Sequence, residues 1–394
     1  FKLGNDIDLS DIEWLPINNT DPYAQLHFDG AGHIIKNMTV NDVSYASFFG
    51  VLCGTCKNLG IVNANVSSSN GGGIIAGYLG IKAPTTSAYT GIIENCFTSG
   101  TVIGSDAVGG ITGNIGKPDA ATSTTSVVRN CYSTATVIAR NTTNKSRAGG
   151  VAGIVWGRGV LENSYATGTV KSNMYGAGGV IGWTDSSLTG LVALNDSIIN
   201  KTTGNIARIA AFMGAIDGVQ TQGNNCWGAN NTILKNGSTI LSATDLTEGN
   251  VTVQNNPYDG VSKTPAFLSN PMNYFLELGW DFASDQNIWS QTMSSGRPIF
   301  QWLYNRADYA SIDGHNIHTD IPNQLTDPVD IYISNSQLII NGINNIKKVS
   351  VYSPTGQLIS QSTESSGIIL KEKGLYLISI ETSTARLSRK VYAL

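Results

Sequence analysis

The sequence predicts an all-β protein, a right-handed parallel β-helix followed by a small antiparallel β-sandwich. Three observations carry the prediction. A motif recurs as IENCFTSGTV at 93–102, VRNCYSTATV at 128–137 and LENSYATGTV at 161–170. Between and around its copies stand glycine-bounded apolar segments: GGIIAG at 72–77, GGITG at 109–113, GGVAG at 149–153 and GGVIG at 178–182. The composition is also skewed: charged residues make up only 13% and glycines number 44, yet hydrophobic residues reach 41%. That balance favours strands joined by polar turns and leaves enough apolar surface to offset chain entropy.

The repeat sets the architecture of the first part. The shared asparagines Asn95, Asn130 and Asn163 stand 35 and 33 residues apart. An earlier relative, CKNLGIVNANV at 56–66, puts Asn58 37 residues before Asn95, and a shorter step of 21 leads back to Asn37. Segments of four to six residues between Gly and Asn read as strands with tight corners. One such set cannot close a core, so successive sets must stack with parallel pairing. Gly and Asn at the corners are expected to supply the left-handed backbone positions, and stacked asparagines to form side-chain ladders. The variable stretches, such as KPDAATSTTS and ARNTTNKS, would project as loops. A β-propeller needs about four strands per blade and steadier repeats. A sandwich without repeats does not account for the motif matches.

In order along the chain, residues 1–230 read as the coils. The pattern decays over 191–214, as terminal repeats of a solenoid do. Residues 231–304, with Trp280, Trp289 and Trp302 as core, are expected to cap the array. Residues 305–330 hold two prolines and no period, and read as a linker; the HxxH pair His315 and His318, flanked by Asp313 and Asp320, falls there and reads as solvated. Residues 331–394 alternate apolar and polar residues between turns such as SPTG and KEKG, the grammar of six or seven antiparallel strands.

Several function classes are disfavoured. A net charge of −4 without a basic run lacks the footprint of a nucleic-acid binder. No apolar run approaches the roughly 18–20 residues of a membrane helix. The start at FKLGNDIDL, without Met, suggests that a signal sequence has been removed. Of the five cysteines, Cys53 and Cys56 form a CGTC with no second CxxC and no nearby His, so small buried residues or one local disulfide are preferred to a metal site. Glu94, Arg129 and Glu162 fall at one repeat position and read as a solvent-facing ladder rather than as acid and base. His is absent from 34 to 314, which leaves no Ser-His or Cys-His pair in the array. No cofactor is expected and no enzyme is read.

GGVAG followed by LENSYATGTV resembles the GLUG repeat of bacterial adhesins of the filamentous-haemagglutinin type, which also occurs beside IgA-protease domains. The resemblance extends over about 1–304. It includes FKLGNDIDLSDIEWLPI, FDGAGHIIKNMTV and FFGVLCGTCKNLGIVNANV at the start, and NNCWG, LGWDF, NIWS and RPIFQWL at the end. Ala135 and Ser164 depart from the motif. SVYSPTGQLI followed by LKEKGLYLISI resembles the C-terminal sorting domain of the Bacteroidetes type IX secretion pathway, although IYISNSQ stands where its usual entry would be. These resemblances imply a secreted or outer-surface adhesin whose partner is a host or bacterial surface glycan or an extracellular protein. Residues just after the GG motif, Tyr78, Asn114, Ile154 and Trp183, are expected to share a column. If they face outward, Tyr78 and Trp183, with Trp156, are the candidate ligand-binding residues. A spacer presenting another domain and a glycan-active lyase or hydrolase are the alternatives.

Overall fold

The computed structural model describes residues 1–18, 24–82, 88–116, 125–142, 145–216, 219–220, 223–241, 258–282, 288–290, 296–312, 330–334, 337–341, 345–353, 357–363, 368–370, 374–382 and 386–393. Two compact units divide the chain, one over 1–267 with 312–314, the other over 268–311 with 315–394. His315, His318, Asp313 and Asp320 lie outside the described residues, as does most of the expected linker.

The first unit is almost all β, and pairing from repeat to repeat is parallel. Among the described residues, four columns of strands run as follows, beside a fifth through Tyr132–Ser133, Tyr165–Ala166, Val192–Ala193 and Trp227–Ala229. In one, Gly91–Glu94, Val127–Arg129, Val160–Glu162, Leu188–Thr189 and Gly223–Asn224 pair in turn. A second joins Phe97–Gly104, Thr136–Ala139, Val170–Ser172, Ser197–Asn200 and Ile233–Asn236. A third runs from Val108–Gly109 through Arg147–Gly149 and Gly176–Gly178 to Asn205–Ala207. The fourth holds Ala76–Leu79, Thr112–Ile115, Ala152–Val155 and Ile181–Thr184. Parallel registration between repeats is the opposite of a propeller blade, whose strands run antiparallel. Each repeat supplies more strands than the two or three visible in sequence, because the GG segment contributes two short ones separated by a bend. Parallel pairing also continues past 230, where Val261–Lys263 joins Trp227–Ala229.

The columns exist because side chains alternate across each strand. In Val127–Arg129 the middle residue is buried and Arg129 exposed. The inward residues Ile93, Val128, Leu161 and Leu188 stack in one core with the small Cys56, Cys96 and Cys131. Each large aliphatic side chain so buried contributes about 1.5–3 kcal/mol. On the opposite face, Phe97, Tyr132 and Tyr165 stack with centroids 5.0 and 4.8 Å apart and planes within 11° and 6°.

Asparagine does mark the corners. Asn58, Asn95, Asn130, Asn163 and Asn225 all have φ between 47° and 55°, the left-handed region that Asn tolerates better than most residues. Asn95 Nδ2 donates to Asn58 Oδ1 at 3.3 Å, one step of the expected ladder. The equivalent corner in the decayed repeat is Gly190, at φ 65°. Two expectations need correction. Asn37 is in register with Asn63, not Asn58, since Lys36 pairs with Val62 and Asn63 Nδ2 donates to Asn37 Oδ1 at 2.6 Å. The local match KN was misleading because the corner that answers Asn58 one repeat earlier is made by Ala31 and Gly32, not by an asparagine. The GG glycines, in turn, do not adopt positive φ; they are needed for close backbone approach, argued below.

The predicted Glu94–Arg129–Glu162 ladder is part of a longer one. Lys2, Asp29, Lys57, Glu94, Arg129 and Glu162 occupy successive positions in register, alternating in sign. Arg129 donates to Glu94 at 2.6 Å, and Lys57 lies 3.9 Å from Asp29. Exposed pairs contribute little each, but alternation penalises any slip that would bring like charges together. Arg129→Glu, which aligns three carboxylates, is expected to cost about 1–2 kcal/mol from two like-charge contacts. Thermal melting at low and high salt checks it, with the deficit shrinking as salt rises.

The second unit contains an aromatic cluster and a small sheet. Trp280 and Trp289 are fully buried with centroids 4.9 Å apart, Phe300 stacks on Trp289 at 4.6 Å, and the half-buried Trp302 stacks on Phe300. The antiparallel sheet has the order Leu358–Ser362, Ile346–Tyr352, Gly374–Thr382, Arg386–Ala393. Leu338, from the hairpin of Asp330–Ser334 and Gln337–Asn341, shares its core with Val349, Val351, Ile378 and Ile380.

Candidate binding face

The fourth column positions the candidate residues. Val51, Tyr78, Asn114, Ile154 and Trp183 occupy successive places in register, and the bridges of Ile181 to Ala210 and Thr184 to Met213 place Phe212 next. Asn114 and Ile154 are buried, whereas Tyr78, Trp183 and Phe212 are half-buried. Trp156 lies two residues beyond Ile154 and so projects on the same side of the array.

The structure brings Trp156 and Trp183 together and keeps Tyr78 apart from them. The two indoles have centroids 4.7 Å apart at 53°, and Trp183 stacks on Phe212 at 5.9 Å and 7°. Tyr78, two repeats before Trp156 and three before Trp183, meets Tyr45 edge-on at 5.8 Å, and burial pushes its phenol well above the ordinary tyrosine range. Ring faces are thus spent on neighbouring rings, and the ridge presents mainly edges to solvent.

Polar groups line the same ridge. Trp156 Nε1 donates to Asn114 Oδ1 at 3.2 Å, and the Arg147 guanidinium lies 6.0 Å from the Trp156 ring centre. Arg147 is held by Asp106, its Nε donating to Oδ1 at 2.9 Å and its backbone N–H at 3.0 Å. Asp185, two residues from Trp183 and half-buried, accepts from the Gly157 backbone N–H. Burial raises its carboxyl above the usual range, against the lowering effect of that bond. Asp185 Cβ and Trp183 Cζ2 both border Gly214, at 3.2 and 3.5 Å from where a Cβ would stand. Phe212, Arg147, Asp106 and Asp185 were not among the residues singled out from sequence. Phe212 sits in the decayed repeat, where no motif marks the register. The acids lie in stretches without shared spacing.

The chemistry weighed elsewhere in the array takes a different form. All five cysteines are buried thiols. Burial pushes Cys96 and Cys131 well up and Cys226 to about 12, and a protonated thiol is a poor nucleophile and ligand. Among the described residues no three His, Cys, Asp or Glu side chains are grouped to hold a metal ion, and no helix is long and apolar enough to cross a membrane.

Residues 145–171, which span the third copy of the motif, match the GLUG motif. Over 102 residues the chain is 36% identical to halomucin from Haloquadratum walsbyi; that stretch is 25% of this chain and 1% of halomucin. A crystal structure from Bacteroides ovatus, provisionally named an immunoglobulin A1 protease, matches with a TM-score of 0.64 and 35% identity. The match covers 77% of this chain and 85% of that one. The protein therefore carries a GLUG motif and belongs to the same family as the Bacteroides ovatus protein.

Proposed function

We propose that the protein is a right-handed parallel β-helix of the cell surface or extracellular space that binds glycan or extracellular protein through the side of its repeat array, without catalysis. The observation that carries this reading is the ridge of Trp156, Trp183 and Phe212, half-exposed in line and edged by Asp185 and by the Arg147–Asp106 pair. Partly exposed aromatics beside a few convergent polar groups are the usual make-up of a recognition surface. The GLUG motif and the similarity to halomucin support a place at or outside the cell surface. The sequence likeness of 331–394 to a type IX sorting module, and its own apolar core, support a role in export for that part. Against catalysis stand the engagement of Glu94 by Arg129 and the buried, protonated thiols.

An array of glycans and extracellular-matrix proteins, probed with the full chain, tests the reading. Saturable binding to at least one glycan or protein is expected. A well-folded chain that binds none of them would remove the binding role and leave the spacer.

A further inference from the structure

We infer that the Trp183 end of the ridge is a binding site for an uncharged saccharide, with the Trp183 indole N–H and the Asp185 carboxylate as its two hydrogen-bonding groups. The inference rests on the binding role proposed above and narrows it to one ligand class and one place.

Two other indole N–H groups of the first unit have acceptors. Trp14 donates to the Phe48 carbonyl at 3.1 Å, and Trp156 to Asn114. Trp183 does not: among the described residues nothing accepts from its Nε1, although both its faces are packed. Its Cζ2, the ring carbon on the nitrogen's side of the indole, borders Gly214 together with Asp185 Cβ. Glycine there puts no side chain of its own against this edge. Asp185, just past the end of the same strand, is held at one oxygen by the Gly157 backbone N–H, and among the described residues no cation pairs with it. A half-buried donor and a half-buried acceptor therefore lie side by side, each with bonding capacity unused.

The pairing selects the ligand. A cation would satisfy Asp185 but offers no acceptor to Trp183, and the packed ring faces are not open for cation–π contact. An anion would take the N–H but meet the carboxylate. A hydroxyl both donates and accepts, so neighbouring hydroxyls of one sugar ring serve both groups. The apolar C–H edge of the same ring would then lie along Phe212 and Trp156. The Arg147–Asp106 pair, already mutually neutralised and only 13% and 14% exposed, adds no net charge at the border.

The test uses the full chain and immobilised hexasaccharides of β-glucan, mannan, galactan and chitin, with sialylated and sulfated glycans and matrix proteins as comparators. At least one neutral hexasaccharide should bind saturably, and better than any charged glycan. Trp183→Phe keeps the ring stack and deletes the donor, and should weaken binding about 3–10-fold; Asp185→Asn should weaken it about tenfold. Arg129→Ala, in another column, should bind as the parent does. Melting curves show that each variant is folded. If matrix proteins bind but no neutral sugar does, the inference fails and the binding role stands. If a neutral sugar binds and Trp183→Phe matches the parent, the site is wrong while the glycan class survives. If nothing binds, both fail.

Discussion

Replacing Arg208 by alanine is expected to lower the stability of the first unit by about 3–5 kcal/mol, the cost of leaving one member of a buried ion pair alone. The Arg208 side chain has no exposed surface, and that of Asp259 is 6% exposed. The guanidinium donates from Nε to Asp259 Oδ2 at 2.9 Å, and from one terminal nitrogen to the carbonyls of Gly228 and Ala229 and to Ser262 Oγ, at 2.9, 3.2 and 2.9 Å. The backbone N–H of Arg208 donates to Asp259 Oδ1 at 2.8 Å. One side chain thus ties the decayed repeat to the chain that returns at 258–263. Gly228 makes room for it, since a Cβ there would stand 2.5 Å from Arg208 Nε. Alanine would leave a buried carboxylate without a counter-charge and would take one donor from each of two carbonyls, of which that of Ala229 keeps the Thr232 N–H. Arg208→Met combined with Asp259→Leu should regain most of the loss, because apolar replacement of both partners removes the desolvation cost with the attraction. Denaturant midpoints of the single and double variants measure this. Repeat arrays lose stability by neighbouring units, so amide exchange should rise first over 223–236 and 258–263. A single variant within 1 kcal/mol of the parent would contradict the account.

That lock also shows where reading the sequence stops. The three parallel motif copies were legible because the same residues must face the same neighbours in each repeat; Ile93, Val128 and Leu161 declare a column by spacing alone. The asparagine corners were legible for a conformational reason, and Gly190 was missed only because a different residue answers the same backbone demand. Arg208 offered no such signal. It stands in an apolar run, NIARIAAF, and its partner is 51 residues away, so nothing local marks it as paired. The binding ridge was half visible. Tyr78 and Trp183 were placed in one column by their position after the GG motif, and they do share it. Their separation by Asn114 and Ile154 was equally visible in that alignment. Which rings touch, and which indole keeps an unused N–H, depends on how Trp156 leans across from Ile154's repeat, and spacing does not encode that.

The second large effect is expected at the GG pairs, where the structure replaces a conformational reason with a steric one. A Cβ on Gly109 would lie 2.1 Å from the Thr112 carbonyl oxygen, one on Gly149 2.1 Å from that of Ala152, and one on Gly178 1.9 Å from that of Ile181. The second glycines meet the next repeat instead: Gly110 would stand 2.3 Å from the Gly150 oxygen, Gly150 2.1 Å from that of Gly179, and Gly179 2.1 Å from that of Arg208. These obstacles are main-chain atoms, which cannot swing aside as a flexible side chain does. Relief requires moving one repeat against the next, and every column registered on it. Gly149→Val is therefore expected to cost about 3 kcal/mol or more, beyond the usual range for an overpacked side chain, and Gly149→Ala most of that. Gly4→Ala is the matched control. Its Cβ would have nothing within 4 Å, so the change should be neutral or slightly stabilising through the unfolded chain. If Gly149→Ala melted as Gly4→Ala does, close approach would not be what the GG motif protects. A deficit confined to position 149 would instead show that each repeat is held at the spacing its two bare glycines allow.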